Sequence, residues 1–259
     1  ILKKEKKQLI IMDKIIIKGG SNLFGSIDIP GSKNAALPIL VSSLLNNKSL
    51  KINNIPDLQD INSMIKLLKS FGVKITRNDK KMTLNSKNIK NNIADYDLVR
   101  KMRASILVLG PLLARFKKVK ISLPGGCAIG NRPIDIHLDS LKKLGANFQV
   151  ENGFVKGFVK KDLVGATINL PFPSVGATEN ILMASVLAKG KTIIKNAARE
   201  PEITDLAKSL NLMGAKIYGS GTKVIKIIGV DTLNEAEHDL MFDRIVAGTY
   251  IIAGVMKNN

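Results

Sequence analysis

Cysteine occurs once in these 259 residues, at Cys127 within the run LPGGCAIGNRPIDIH. Pro124, Gly125 and Gly126 precede it and Gly130 follows, so the thiol falls between two turn-forming clusters. By type alone a lone cysteine is more often a small buried hydrophobe than a reactive group, but such a core position would sit inside a periodic apolar run. A few residues later come Arg132 and Pro133. Proline loses no useful N–H at a first helical position, and the polar run after it has helical spacing, so a helix is predicted to open there. A glycine-rich loop that ends at a helix start presents backbone donors and a positive dipole end, which favour an anion. The pattern predicts a thiol and a guanidinium on one anion-facing loop.

The elements that must position these groups repeat. A polar or basic residue opens an apolar helix, then follow a short strand, a loop, an amphipathic helix ending at a glycine turn, and a closing hairpin. One copy runs from Lys33 through NAALPILVSSLL to DINSMIKLLKSFGVKI, a second from Arg103 through ASILVLGPLLARF to PIDIHLDSLKKLGANFQV, and a third from Ser174 through VGATENILMASVLAKG to EITDLAKSLNLMGAKIYG. Gly72, Gly145 and Gly214 of the closing turns recur about every 70 residues, the scale of a repeated βαβαββ unit. The hairpins are expected to turn at Asn78-Asp79 in the first copy and at Gly219 and Gly221 in the third. Three such units predict a pseudo-threefold α/β domain with helices inside and sheets outside, because the first helix of each copy is apolar nearly all round. FDRIVAGTYIIAGVMKNN, from Phe242, opens a fourth copy with Arg244 in the place of Lys33 and Arg103, and its remainder is expected to be missing.

Pro30-Gly31-Ser32 reads as a turn with Ser32 as N-cap, which puts Lys33 and Asn34 on the first helical turn beside free backbone donors. Ser174 is the corresponding cap in the third copy. If the opening helices run side by side, their positive ends converge on one face that binds multiply charged anions, with Lys33 and Arg103 part of the site.

Composition narrows the alternatives. Lysine and arginine number 40 against 21 acidic residues, a formal charge of +19. The lysines are scattered rather than striped and tryptophan is absent, which reads as a solvated exterior and argues against nucleic acid as partner. The excess charge still draws in small anions. His137 and His238 have no ligand-like spacing to the cysteine, so no metal site is expected. One cysteine fits a reducing compartment, and no apolar run suits a bilayer, so no membrane partner is expected. Residues 1–11 read as an extension of doubtful relevance, without the features of a signal peptide.

PGSKNAALP, LVRKMRASI, LPGGCAIGNRPIDIH, SVGAT and NAAREPEI resemble the enolpyruvyl transferase family, in its UDP-N-acetylglucosamine branch, from about Met12 to the end of the chain. The resemblance implies a two-domain inside-out α/β barrel built of such units. Residues 12–32 would be N-terminal strands of a second domain, 33–240 a complete first domain with three repeats, and 241–259 the start of the truncated second. It implies transfer of the enolpyruvyl group of phosphoenolpyruvate to the 3-hydroxyl of UDP-N-acetylglucosamine with release of phosphate. That is the committed step of peptidoglycan precursor synthesis, carried out in the cytoplasm by a monomer without a cofactor. Carried over by position, Cys127 is the general acid and can form a covalent adduct. Lys33, Arg103 and Arg132 hold the anionic groups, and Asn34 contacts both substrates. Arg132, Pro133, Ile134, Asp135 and Ile136, with Phe172, Pro173, Ser174 and Val175, bind the UDP-sugar. The family's base and further arginines would lie beyond Asn259, so the chain alone is expected to be inactive or nearly so. The shikimate-pathway branch shares the Gly-Ser-Lys opening but lacks the cysteine loop. A non-catalytic remnant that binds the UDP-sugar is the other alternative.

Overall fold

The first repeat starts at Ser32, whose extended backbone lets its Oγ accept from the Ala35 N–H at 3.3 Å and so cap α1 (Lys33–Ser42). A computed structural model describes residues 16, 18, 24–94, 96–99, 102–123 and 134–256. After α1 and a 3-10 turn at Ser43–Leu45 come β1 (Ser49–Asn53), α2 (Gln59–Phe71), β2 (Lys74–Asn78) and β3 (Lys81–Asn85). The second repeat comprises β4 (Ile93–Ala94), α3 (Tyr96–Val99), α4 (Leu109–Phe116), β5 (Lys118–Ser122), α5 (Asp135–Lys143), β6 (Ala146–Glu151) and β7 (Phe154–Val159). The third comprises β8 (Thr167–Asn169), α6 (Val175–Ser185), β9 (Lys191–Lys195), α7 (Pro201–Leu212), β10 (Lys216–Tyr218) and β11 (Val224–Ile228). β12 (Ala236–Asp239) and α8 (Arg244–Met256) follow.

Each repeat makes one four-stranded sheet, in the orders β12-β1-β3-β2, β4-β5-β7-β6 and β8-β9-β11-β10. Three antiparallel strands come from one repeat, and a short fourth runs parallel to the first of them. In the second and third sheets that strand, β4 or β8, comes from the segment just before the repeat's first helix. The first sheet takes β12 from the far end of the chain instead, which closes the ring of repeats. No strand pairing joins the three sheets among the described residues, so the barrel is an arrangement of sheets around helices rather than one continuous ladder.

Burial follows the expected inside-out pattern. Ala35–Ser42 of α1 and Ala177–Ser185 of α6 are buried throughout, whereas α2 buries one stripe, Ile61, Met64, Leu67, Leu68 and Phe71, at helical spacing. Gly72, Gly145 and Gly214 each take a left-handed φ, of 106°, 98° and 99°, just past α2, α5 and α7, where a side chain would be strained. The ends of α1, α4 and α6 meet around one polar cleft of about 600 Å³, lined by Leu45–Asn47, Ala114, Arg115 and Leu187–Gly190 among others, so these helices run in the same direction. Arg115 places a cation at that negative pole and donates to the carbonyls of Leu44 at 3.0 Å and Ser86 at 3.1 Å.

Three local expectations are corrected. The segment from Arg103 is not one α-helix: Arg103–Val108 winds as a 3-10 segment and α4 begins at Leu109. Pro111 has no N–H for the Leu107 carbonyl, so the α ladder cannot run unbroken through it. The first hairpin turns at Asp79-Lys80, because Asn78 pairs with Lys81 and Asp79 carries the positive φ of 50°. The described part of α5 starts at Asp135, two residues after the proline expected to open it. α8 differs from its three counterparts in burying none of its residues, and Ile251, Ile252, Val255 and Met256 are all exposed. No helix among the described residues is long and apolar enough to cross a membrane.

Candidate functional site

Lys33 is held at both ends by carboxylates. Its backbone N–H donates to Asp243 Oδ2 at 3.2 Å, across 210 residues of sequence, and its ammonium pairs with Asp60 Oδ2 of α2 at 2.9 Å. The Lys33–Asp60 pair is more than a third exposed on both sides, so solvent screens it and an anionic ligand can displace the carboxylate at little cost. Asp243 is buried, and its other oxygen accepts from the N–H groups of Ile245 and Val246, so one carboxylate caps both α1 and α8. The backbone beside it is paired as well: Ser32 N–H donates to Met241 O, and Asp243 N–H to Pro30 O, each at 2.8 Å. Gly31 lies in this crossing, where a β-carbon would come within 1.9 Å of the Asn54 carbonyl oxygen. The glycine of PGSKN is required by that approach. Asn34, the other predicted residue of this turn, is exposed.

Arg103, the start of α5 and the start of α6 come together around a buried histidine. His137 on α5 is pushed down to about 4, first by burial and then by the charge of Arg103, so it is neutral at physiological pH. Its imidazole packs on the first turn of α6, where a β-carbon on Gly176 would lie 3.2 Å from Cε1. Ser174 caps that helix as expected, its Oγ accepting from Ala177 N–H at 3.4 Å. Phe172 and Pro173 just before it are exposed, and Ser174 and Val175 are half-buried. Ile134, Asp135 and Ile136 lie on the approach to the same place. A cavity of about 560 Å³ is lined by Asp135, Ile136, Asp139, Ser140 and, from the β8 side, Asn169 and Pro171. Of the residues expected to bind the UDP-sugar, Asp135 and Ile136 line this cavity, whereas Phe172–Val175 follow Pro171 in sequence and are not part of its lining.

Arg244, expected beside Lys33 and Arg103 as a helix-start cation, is instead committed to Glu202, which its Nε reaches at 3.0 Å. Glu202 is almost wholly buried, which is why it recruits a guanidinium. Glu179 on α6, also buried, has its carboxyl pushed well above the usual range by burial and then by the charges of Glu202 and Glu200. Asp60, Glu179, Glu202, Asp243, His137 and its partner Asn180 were not singled out by spacing as site residues. Asp243 alone had a local signal, an aspartate ahead of an apolar helix.

Cys127, Arg132 and Pro133 lie outside the described residues. Among the described residues no three histidine, cysteine, aspartate or glutamate side chains are grouped to hold a metal ion.

Comparison with known proteins accords with this geometry. Residues 17–259 match the family model described as EPSP synthase (3-phosphoshikimate 1-carboxyvinyltransferase). Among curated relatives, the UDP-N-acetylglucosamine 1-carboxyvinyltransferase of Endomicrobium trichonymphae is 56% identical over 95% of this chain and 59% of its own length. That of Geobacter metallireducens is 52% identical over 95% and 58%. The chain thus spans about three fifths of the length of the curated relatives it matches. Of solved structures, the enolpyruvyl transferase NikO from Streptomyces tendae superposes with a TM-score of 0.81 at 20% identity, covering 91% of this chain and 56% of that one. EPSP synthase from Acinetobacter baumannii superposes at 0.71 with 18% identity, covering 89% and 52%. These structural likenesses speak to the fold. With the repeat architecture, they agree with the family match: this chain belongs to the EPSP synthase family of enolpyruvyl transferases.

Proposed function

We propose that the whole protein transfers the enolpyruvyl group of phosphoenolpyruvate to the 3-hydroxyl of UDP-N-acetylglucosamine. The hydroxyl oxygen bonds to C2 of the enolpyruvate, the C2–O bond to phosphate breaks, and the hydroxyl proton leaves to a base. The observation that carries this reading is the meeting of Arg103, the α5 start and the capped α6 start around the buried His137. An anion there gains helix-end donors and cations at once. The names of the 50–56% identical relatives favour the UDP-sugar over a shikimate acceptor.

In this reading Cys127 protonates the vinyl carbon as the hydroxyl oxygen adds to C2, and the methyl carbon so formed gives up a proton as phosphate leaves, restoring the C=CH2 of the product. Lys33, Arg103 and Arg132 hold phosphate and carboxylate, Asn34 contacts both substrates, and Arg132–Ile136 with Phe172–Val175 hold the UDP-sugar. Residues 33–240 form one complete domain, 12–32 and 241–259 belong to a second, and the catalytic cleft lies between the two. No cofactor is needed, since the chemistry is addition and elimination with proton transfer. The protein acts in the cytoplasm, as a monomer, in peptidoglycan precursor synthesis. Because the chain spans about three fifths of its relatives' length, we expect it to bind the UDP-sugar and turn over little. The test is covalent labelling by fosfomycin, a thiol-directed mimic of phosphoenolpyruvate, read by mass spectrometry. A single adduct at Cys127 that forms faster with UDP-N-acetylglucosamine present is the expected result. No adduct, or one indifferent to the sugar, refutes the assignment.

A further inference from the structure

We propose that Asn180 is a positioning residue of this site, holding His137 with its proton on Nε2 and that N–H turned toward the first turn of α6. The inference rests on the reading of that turn as a substrate contact, and it adds to it a residue with no exposed atom of its own.

Asn180 lies in the middle of α6, wholly buried, and all three of its bonds are directional. Its Oδ1 accepts from the backbone N–H of Gly110 at 2.8 Å, and its Nδ2 donates to the backbone carbonyl of Ile106 at 3.0 Å. A backbone N–H can only donate and a carbonyl can only accept, so these two contacts settle which way the amide points. The remaining Nδ2 hydrogen then faces His137 Nδ1 at 2.9 Å. That ring nitrogen must accept, so it carries no proton, and the neutral imidazole carries its single proton on Nε2. A proton on Nδ1 would set two donors against each other in a buried space, where the loss cannot be made up by water.

The Nε2–H has a destination. Nε2 is 3.5 Å from where a Gly176 β-carbon would stand, and has no partner among the described residues. The first N–H groups of a helix lack intrahelical acceptors, and Ser174 satisfies only that of Ala177. An anionic oxygen seated on α6 would meet the N–H groups of Val175 and Gly176 together with His137 Nε2–H. α6 exceeds the length at which its end is a bare peptide turn, at 11 residues, and the buried imidazole aimed at it is a second, independent donor. Asn180 also ties α6 to the Arg103–Val108 segment, so one amide sets the spacing of three pieces of the site.

The experiment is nitrogen-15 NMR of the histidine ring together with titration of UDP-N-acetylglucosamine and of pyrophosphate, on the wild-type chain and on Asn180→Asp. Wild type is expected to show an unprotonated Nδ1 and a protonated Nε2 at neutral pH, with the Nε2 signal moving when either ligand is added. In Asn180→Asp the carboxylate can only accept, so the proton moves to Nδ1 and affinity falls about ten- to hundredfold, the scale of one lost bond to a charged group. Asn180→Thr, whose hydroxyl can still donate to Nδ1, is expected to recover most of the loss. A proton on Nδ1 in the wild type, or an Asp variant that shifts the proton and binds as wild type does, overturns the proposal. Pyrophosphate moving the Nε2 signal while the nucleotide sugar does not would spare the role of Asn180 and refute the choice of substrate.

Discussion

Burial of His137 makes stability pH-dependent in a direction and amount that can be worked out. In the unfolded chain the imidazole titrates near 6.5, and in the fold near 4. Between those values the unfolded chain binds a proton that the fold refuses, so stability falls as the pH falls through this window. The full difference, 2.5 pH units at about 1.4 kcal/mol each, is roughly 3 kcal/mol, of which about 2 kcal/mol has gone by pH 5. Glu179 works the opposite way. Its carboxyl is raised in the fold, so its contribution is full below the unfolded value of 4.5 and is lost as the pH rises toward the folded value. Single-protein profiles therefore mix the two, and the comparison must be made with a His137→Gln variant. The glutamine oxygen can accept from Asn180 and its amide can still donate outward, but it does not titrate. Urea unfolding of both proteins from pH 7.5 to 4.5 gives the difference directly. The wild type should lose about 2 kcal/mol more than the variant between pH 7 and 5. Parallel profiles would mean that the imidazole is not buried as a neutral donor and would refute the electrostatic account of the α5–α6 junction.

Other expectations follow from particular contacts. Asp243→Ala removes the acceptor of three backbone N–H groups at two helix starts and should cost about 2 to 4 kcal/mol in thermal or urea unfolding, with Asp243→Asn recovering part of it. Asp60→Asn frees the Lys33 ammonium, and because the pair is solvent-screened stability should change by less than about 1 kcal/mol while phosphate binding becomes tighter. Gly110→Ala would put a β-carbon 2.5 Å from the Asn180 carbonyl oxygen, so it should force α4 from α6 and lower the melting temperature by several degrees, about 2 kcal/mol or more. Glu202→Gln should loosen Arg244 and raise the proteolysis rate near the start of α8, since the guanidinium loses its charged acceptor.

Much of the architecture could be read from local pattern. The three glycine turns, the Ser32 and Ser174 caps and the apolar opening helices of the first and third repeats are each decided by neighbours within a few positions, and all appear in the structure. The closing role of β12 could not be read, because a four-residue strand with His238 at its only buried position has no periodic signature and is defined by its partner β1. The site divides in the same way. Residues at helix starts were legible from capping chemistry. Asn180 was not, since it bonds Gly110 70 positions away, and although Asp243 had a cap's place ahead of α8, nothing local pointed to its bond with Lys33 210 positions away. Arg244 misled because its place in the repeat matches Lys33, while the buried carboxylate that captures it comes from α7.

Calorimetric titration of UDP-N-acetylglucosamine into the wild-type chain and into Arg103→Ala tests the central claim, that converging helix starts and their cations hold an anionic sugar nucleotide. The account predicts saturable binding that weakens about ten- to hundredfold in the variant and declines with added salt. Binding that is equal in the two proteins, or no binding heat to the wild type at millimolar ligand, would contradict it.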